Sequence, residues 1–427
     1  MKQLLCTLII LCTLITPTIA PAKDMVYLDI TSPDARKINI AVPCFENSAD
    51  PTYLQFFGRE LADILGRALT FHGVFSLIPS EKYKKIQKAD WKKLGADFVL
   101  LGSYTLSSSE TTIEIRLLDV AGGDMFLGKR YKGPRNNESK MLFRFADTVI
   151  REMTGENGIS SSKIAFVSDQ SGFKEVYTSD ILGKNVTQVT RHKNLCVSPR
   201  FVPGSRYLSY TSYHSGNQTL YITDLNQSRT TRPLSRRKGM NLAPSWSPDG
   251  KQMILTLSKG GNPDLYLLDR NGKILKQLTR RSGINVSPSW SPDGNKFAFV
   301  SDRSGRPQIY IMDVTTRFVQ RITFKGTENA EPSWSPKGDL IAYSSFIDGT
   351  YQIFTTAPHP ISSPRQITSG PGQHESPTWS PDGKQILFSL KNDGEQKIYA
   401  ILKNGSYMRR LFTLPGNQTY PRWTATE

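Results

Sequence analysis

Short stretches of alternating apolar and polar residues recur along the C-terminal two-thirds of the chain. In one unit, residues 297–300 and 308–312 alternate with the period of two that is typical of β-strands. The turn 302–305 separates them as a hairpin would. A Pro-x-Trp strand precedes this pair and residues 320–323 follow it, which makes four short strands. Four strands in about 44 residues predict one blade of a β-propeller.

The unit repeats along the chain in a fixed register. Trp246 begins Trp-Ser-Pro-Asp-Gly, and the same motif begins at Trp290, at Trp334 with lysine for aspartate, and at Trp379, at intervals of 44, 44 and 45 residues. Phe201 begins a weakened copy. A proline stands two residues before each of these positions and again before Trp423: Pro199, Pro244, Pro288, Pro332, Pro377 and Pro421. Six prolines in register predict six blades.

The phase of the repeat predicts how the ring closes. Residues 163–190 match the last three strands of a unit but have no Pro-x-Trp strand before them. Pro421-Arg422-Trp423 is such a strand and has nothing after it. The C-terminal strand should therefore complete the blade that residues 163–190 open, which leaves no end strand unpaired. We expect a six-bladed propeller over residues 158–427, with the repeated Trp and Tyr rings buried between blades.

Residues 23–157 show no such repeat. Residues 51–71 carry apolar residues at helical spacing, Ser80 predicts an N-cap that starts a second helix, and residues 139–153 predict a closing helix. Strands are predicted near residues 37–42, 74–78, 97–102, 111–116 and 125–130. The fold class is thus an all-β six-bladed propeller preceded by a small α/β domain.

The first 22 residues predict a secretory signal peptide. A short basic start precedes an apolar run that is too short to span a membrane, and Ala20-Pro21-Ala22 has the small residues of a cleavage site. Cleavage after Ala22 is favoured over cleavage after Ala20, because a cut after Ala20 would place Pro21 directly after the cleaved bond. A lipoprotein signal at Cys12 or Cys6 is disfavoured, because Leu11 and Leu5, the residues before these cysteines, are not small. No later stretch reaches membrane-spanning length, so we expect an exported protein.

Charge and cysteines add two limits. The formal charge is +17, which indicates an anionic membrane surface, an acidic partner, or only a solvated surface, and export disfavours nucleic acid. Cys44 and Cys196 would remain after cleavage, in different domains, and two buried free thiols are favoured over a disulfide. No metal site, cofactor-binding motif or calcium loop is predicted.

The order of these parts resembles the TolB family, the periplasmic components of the Tol–Pal system. The resemblance rests on the signal peptide, the small α/β domain and the Trp-Ser-Pro-Asp-Gly propeller with its C-terminal closure. It implies a location in the periplasm and two main partners, the lipoprotein Pal and the inner-membrane protein TolA. Other outer-membrane or peptidoglycan-associated proteins are further candidate partners.

A Pal-type partner would bind at one mouth of the propeller channel. The loops that lead into the Pro-x-Trp strands surround this mouth, and polar residues at one phase should face it: Asn241, Asn285, Asn329, His374 and Gln418. The resemblance adds Met240, Ala243 and Val286. Glu331 and Glu375 are the acidic residues near the mouth. Cys196 replaces the polar residue in the weakened unit, and Met240 and Val286 are more apolar than the family pattern.

A TolA-type partner would bind the extended segment at residues 23–35. This segment alternates like a strand and could add to the edge of a partner's sheet. Its contact residues would be Asp24, Met25, Val26, Tyr27, Leu28, Asp29 and Ile30. The alternative is an ordinary first strand of the α/β domain.

We therefore expect a non-enzymatic periplasmic adaptor that links Pal to TolA for outer-membrane integrity and constriction during cell division. One alternative is a propeller enzyme of glycosidase or lactonase type, which needs opposed carboxylates across the channel, whereas Glu331 and Glu375 lie in adjacent blades. Another is a propeller that binds peptidoglycan or other sugars, which would need exposed tyrosines.

Overall fold

A computed structural model describes residues 36–49, 55–83, 90–226 and 230–424. The predicted signal peptide and the segment Asp24–Ile30 lie outside these residues. In the front domain the elements are β1 Ile38–Ala41, β2 Glu46–Asn47, α1 Gln55–Phe71, β3 Phe75–Leu77, β4 Phe98–Leu106, β5 Glu110–Asp119, β6 Met125–Pro134 and α2 Glu138–Thr154.

The front domain packs two helices on one mixed sheet. The strand order is β3-β1-β4-β5-β6, with β2 beside β4, and β1 runs parallel to both of its neighbours. Apolar residues of α1 and α2 pack against the inner face of β5, where Ile113, Ile115 and Leu117 are buried. The prediction that a helix starts from Ser80 is wrong for the described residues, which extend to Tyr83 before the gap. The Ser80 side chain makes no cap bond there, and the chain forms only a 3-10 turn, Ser80–Lys82.

The propeller contains six four-stranded antiparallel sheets. An opening segment of three strands follows the front domain and belongs to blade 6. Blade 1 is the first blade after this segment. The strands of the opening segment are β7 Lys163–Ser168, β8 Glu175–Asp180 and β9 Thr187–Gln188. Those of blade 1 are β10 Cys196–Phe201, β11 Tyr207–Ser212, β12 Thr219–Asp224 and β13 Thr231–Ser235. Those of blade 2 are β14 Asn241–Trp246, β15 Gln252–Leu257, β16 Asp264–Asp269 and β17 Ile274–Gln277.

The remaining blades follow the same plan. Blade 3 comprises β18 Asn285–Trp290, β19 Lys296–Ser301, β20 Gln308–Asp313 and β21 Val319–Arg321. Blade 4 comprises β22 Glu328–Trp334, β23 Ile341–Ile347, β24 Thr350–Thr356 and β25 Arg365–Gln366. Blade 5 comprises β26 Gln373–Trp379, β27 Gln385–Asn392, β28 Glu395–Leu402 and β29 Arg409–Arg410. The last strand is β30 Gln418–Trp423.

Blade 6 confirms the predicted closure. Its strand order is β30-β7-β8-β9, so the C-terminal strand is the inner strand of the blade that the opening segment begins. Gln418 pairs with Ser168, and Trp423 pairs with Ile164. The repeated rings lie in the core as expected, since Trp246, Trp290 and Trp379 are buried.

The front domain contacts the propeller through the end of α1. The carbonyl oxygen of Phe71 accepts hydrogen bonds from Gln385 Nε2 at 3.0 Å and from Arg409 Nη2 at 2.9 Å. The Phe71 ring packs edge to face on Trp423 at 5.9 Å between centroids. Burial lowers the pKa of Arg409 to about 10. Blades 5 and 6 therefore hold the front domain at the end of the channel where β30 finishes.

The linker between the domains is also hydrogen-bonded to the front domain. Asp147 accepts bonds from the backbone amides of Ser160 at 2.6 Å and Ser161 at 2.9 Å. The buried His72 accepts a bond at Nε2 from the amide of Ile159 at 3.0 Å. These contacts fix the direction in which the chain enters β7.

The two cysteines are free thiols, as predicted. Cys196 is buried, and burial raises its pKa to about 12. The expectation of a buried Cys44 is wrong, because this residue lies exposed in the turn between β1 and β2.

Closure of the ring gives a direct test of the fold. A chain that ends at Pro415 lacks β30, so blade 6 loses its inner strand and Trp423 no longer packs on Phe71. We expect the free energy of unfolding to fall by more than about 4 kcal/mol, measured by chemical denaturation followed by circular dichroism. A chain that ends at Thr424 keeps every described strand and should match the full chain. Equal stability of the two truncations would contradict the closure.

Candidate partner-binding mouth of the propeller

The inner strands give the channel two distinguishable ends. Each runs from a polar or cysteine residue near its start toward the Trp or Phe position at its end, as β30 runs from Gln418 to Trp423. Trp423 packs against the front domain, so the inner strands finish at that end and begin at the opposite one. The loops predicted to surround a mouth lead into these beginnings. We call this end the open mouth.

The polar residues predicted to face the open mouth are instead buried. Asn241, Asn285, Asn329 and Gln418 have no exposed surface, and His374 is 1% exposed. The amide of Asn241 donates to the carbonyl oxygens of Arg237 at 2.7 Å and Gln218 at 2.9 Å. The expected orientation is therefore wrong. These side chains turn inward because the loop above each one presents backbone carbonyls that need a donor.

The same side chains join consecutive blades. Asp264 of blade 2 accepts bonds from Thr279, just after the outer strand of blade 2, at 2.7 Å and from Asn285 of blade 3 at 3.2 Å. Gln308 of blade 3 repeats the arrangement, accepting from Thr323 at 2.9 Å and from Asn329 of blade 4 at 2.8 Å. Each buried cluster links the two ends of one blade's outer hairpin to the next inner strand. It holds the mouth loops in one conformation.

A second repeated feature brings other residues toward the channel. In every inner strand the residue before the proline has positive φ, between 51° and 57°, and the strand pairing shifts there. These residues are Ser198, Ala243, Ser287, Glu331, Ser376 and Tyr420. A left-handed conformation costs a residue with a side chain about 1 kcal/mol or more, so six of them in register reflect a constraint of the fold.

The bulge ring, which consists of these six residues and the residue before each, contains several predicted site residues. Ala243, Val286, Glu331 and Glu375 belong to it and are partly exposed, and Met240 lies partly exposed in the adjoining loop. Leu242, Ser287 and Tyr420 also belong to the ring but are not among the site residues predicted from the sequence. The sequence does contain a signal for these residues, because the same two-residue spacing separates each polar position from its proline in every unit.

Charged residues of the inner strands interact with one another electrostatically. Burial lowers the pKa of Arg200 in blade 1 to about 10, and Glu331 in blade 4 opposes this shift. Arg200 and Glu331 lie in blades 1 and 4, which are opposite one another in a six-bladed ring. Burial, followed by the negative charge of Glu331, raises the pKa of Glu375. The channel thus has an acidic side in blades 4 and 5 and a basic group opposite.

The geometry does not resemble a hydrolytic site. Ser376 of the neighbouring blade donates to Glu331 from its backbone amide at 2.6 Å and from its hydroxyl at 2.8 Å. Both oxygens of this carboxylate are therefore engaged, and Glu375 lies in the adjacent blade. Among the residues that the structure describes, no cluster of three or more His, Cys, Asp or Glu side chains could hold a metal ion. Within the same residues, no helix is long and apolar enough to cross a membrane.

Comparison with protein families matches both parts of the chain. A model described as TolB amino-terminal domain matches residues 26–126, and one described as TolB beta propeller domain matches residues 150–427. The chain is similar to the Tol-Pal system protein TolB of Desulfotalea psychrophila, with 54% identity over 216 residues, 51% of this chain and 49% of that protein.

Other relatives agree with these matches. The Tol-Pal system protein TolB of Geobacter sulfurreducens is 35% identical over 204 residues, 45% of this chain and 46% of that protein. The matched region spans about half the length of such curated relatives. The crystal structure of TolB from Acinetobacter baumannii superimposes with a TM-score of 0.79 at 26% identity, over 91% of this chain and 97% of that one.

The buried clusters predict that the mouth depends on its asparagines. Asn285→Ala would remove one hydrogen bond each from Asp264, the carbonyl of Gly283 and the guanidinium of Arg303. We expect the free energy of unfolding to fall by about 1–3 kcal/mol, measured by urea denaturation. Asn295→Ala is the matched control, because Asn295 is exposed and should change stability by less than about 0.5 kcal/mol. Equal effects of the two substitutions would rule out the proposed role of the cluster.

Proposed function

This chain belongs to the TolB family, and from that premise we propose that it is a non-enzymatic periplasmic adaptor of the Tol–Pal system. It links the lipoprotein Pal, at the outer membrane and cell wall, to TolA in the inner membrane. The process it serves is outer-membrane integrity and constriction during cell division. The observation that carries the proposal is the match of both domains, in order, to the TolB family models.

The open mouth is the proposed site for Pal. Leu242, Ala243 and Val286 give one side of the bulge ring a partly exposed apolar surface, and Glu331 and Glu375 give the other side an acidic one. The buried clusters beneath the loops keep this surface in a single arrangement. A preorganised surface loses little conformational entropy on binding, which favours affinity for a protein partner. The buried asparagines support this site from below and do not contact the partner.

The segment Asp24–Ile30 is the proposed site for TolA. It lies outside the described residues, which begin at Arg36, just ahead of β1. Its alternating apolar and polar residues suit addition to a sheet edge, in which backbone bonds give affinity and alternate side chains give specificity. The two partners would then bind at separate places on the molecule.

The alternatives gain no support from the channel. A glycosidase needs two carboxylates on either side of the scissile bond, whereas Glu331 and Glu375 are neighbours. A sugar-binding propeller would present exposed aromatic rings, but Tyr177, Tyr266 and Tyr310 of the repeated series are buried.

Substitutions on the bulge ring test the Pal site. Ala243→Arg with Val286→Arg places two long charged side chains on its apolar side, and affinity for Pal should fall about 30-fold or more. Isothermal titration calorimetry with the soluble part of Pal measures the change. Lys129→Arg with Lys132→Arg, in the exposed strand β6, is the control and should leave affinity unchanged. Unchanged affinity in the Ala243 and Val286 variant would exclude the mouth as the site.

Removal of the N-terminal segment tests the TolA site. A chain that begins at Ala35 keeps all described residues, so we expect it to lose TolA binding and to keep Pal binding. Pull-down with immobilised TolA, against a chain that begins at Lys23, shows the difference. Retained TolA binding would refute the assignment of the segment. Loss of both partners would instead indicate a folding defect, which thermal unfolding of the shorter chain detects.

A further inference from the structure

Exposed basic residues cluster in the loops that lead into blades 2, 3 and 4. They are Arg236, Lys238, Arg280, Arg281 and Lys325, and we call them the basic rim. None of the five forms an ion pair with an acidic side chain in the part of the chain that the structure describes. Their charge is therefore available to an external partner.

The loops hold the basic rim at the open mouth. Each has a glycine with positive φ shortly before the inner strand: Gly239, Gly283 and Gly326. These glycines lie directly against residues at the mouth end of the second strand, namely Ser258, Asp302 and Ser345, and a Cβ atom would collide with them. Burial lowers the pKa of His214 at the same end, and the positive charge of Arg236 adds to this lowering. The loop backbones are thus fixed while the basic side chains project outward.

Two large apolar side chains protrude beside the cations. Ile284 follows Gly283 and is 46% exposed, and Phe324 precedes Lys325 and is 60% exposed. Exposed apolar residues next to basic residues are typical of surfaces that bind membranes, where cations meet lipid phosphates and apolar groups enter the interface. An acidic protein surface would account for the charge but not for the exposed apolar side chains, although the Phe324 ring also contacts the guanidinium of Arg321 at 4.8 Å from its centre.

The side of the mouth formed by blades 4 and 5 is mixed in charge, because exposed acidic residues lie there beside the exposed Lys391 and close to Lys325 of the basic rim. Glu328, Asp348, Asp393 and Glu395 are exposed in or beside blades 4 and 5. An anionic surface would attract blades 2 and 3 and repel blades 4 and 5. The molecule would therefore approach such a surface tilted, with blades 4 and 5 turned away from it.

We propose that the basic rim, with Ile284 and Phe324, binds the surface of a bilayer that contains anionic phospholipids. The lipid phosphates contact the basic side chains, and the two apolar side chains enter the headgroup region. This contact is additional to the proposed partners and does not depend on them. It assigns a role to part of the high positive charge of the chain.

Vesicle co-sedimentation tests the proposal. The chain from Lys23 onward is used, so that the apolar leader cannot insert by itself, with vesicles of phosphatidylcholine alone or mixed equally with phosphatidylglycerol. We expect binding only to the mixed vesicles, weakened by added salt. The variant Arg236→Gln, Lys238→Gln, Arg280→Gln, Arg281→Gln should bind roughly 600-fold more weakly, at roughly fivefold for each charge.

A charge-matched control separates the rim from the net charge. Lys92→Gln, Lys93→Gln, Lys129→Gln, Lys132→Gln removes the same charge from exposed positions of the front domain, and it should bind nearly as well as the parent chain. Equal losses in the two variants would overturn the proposal, as would no preference for phosphatidylglycerol. Rim-dependent binding to soluble polyglutamate without vesicle binding would also overturn it, in favour of an acidic protein partner.

The apolar contribution has its own readout. Ile284→Ser with Phe324→Ser leaves the charge intact, so binding at low salt should persist while the part that resists added salt is lost. Unchanged salt-resistant binding would remove the apolar residues from the proposal. The Ala243→Arg, Val286→Arg variant should lose Pal and keep vesicle binding, which distinguishes failure of the lipid site from failure of the proposed function.

Discussion

The pairing of β30 with β7 is the interaction on which the rest of the structure depends. It joins residues at the two ends of the propeller, from Gln418 with Ser168 to Trp423 with Ile164. Because it closes the ring, each blade packs between two neighbours and no blade is left with an exposed apolar face. It also places Trp423 against Phe71, so the same strand that closes the ring forms part of the contact with the front domain.

Closure imposes a geometric requirement that every blade meets in the same way. The chain must pass from an outer strand to the centre of the ring, and its loop carries backbone carbonyls over the core. The buried Asn or Gln at the start of most inner strands satisfies them, as Gln418 does for the carbonyls of Leu414, Pro415 and Gly416. The bulge before each proline then turns two consecutive residues toward the channel. The proposed binding surface at the open mouth is thus a by-product of how the blades are joined.

The sequence was sufficient for the architecture but not for the orientation of the site. Six blades and their closure follow from landmarks that repeat in register, because each repeat restates the same packing. The polar residues were predicted to face the mouth but are buried. The sequence around Asn285 does not indicate that Asp264 and a loop carbonyl converge on this side chain from other parts of the chain. Ser80 misled similarly, because a residue type that favours capping does not ensure a cap bond, and the chain forms only a 3-10 turn at Ser80–Lys82. The rim residues carry no motif at all, and only the ring brings their loops to one end.

The contact between the domains determines how firmly the front domain is held on the propeller. Arg409 donates from Nη2 both to the Phe71 carbonyl and to Gln385 Oε1, and its guanidinium lies 4.8 Å from the centre of the Phe71 ring. Burial has already lowered its pKa, so parting the domains would leave a poorly solvated cation without one of its partners until water replaced it. Glu156 in the linker adds ion pairs to Lys337 at 3.2 Å and Lys384 at 2.8 Å, on blades 4 and 5. Separation of the domains would therefore break several polar contacts together, and contacts that must break together resist separation better than a single flexible linker does.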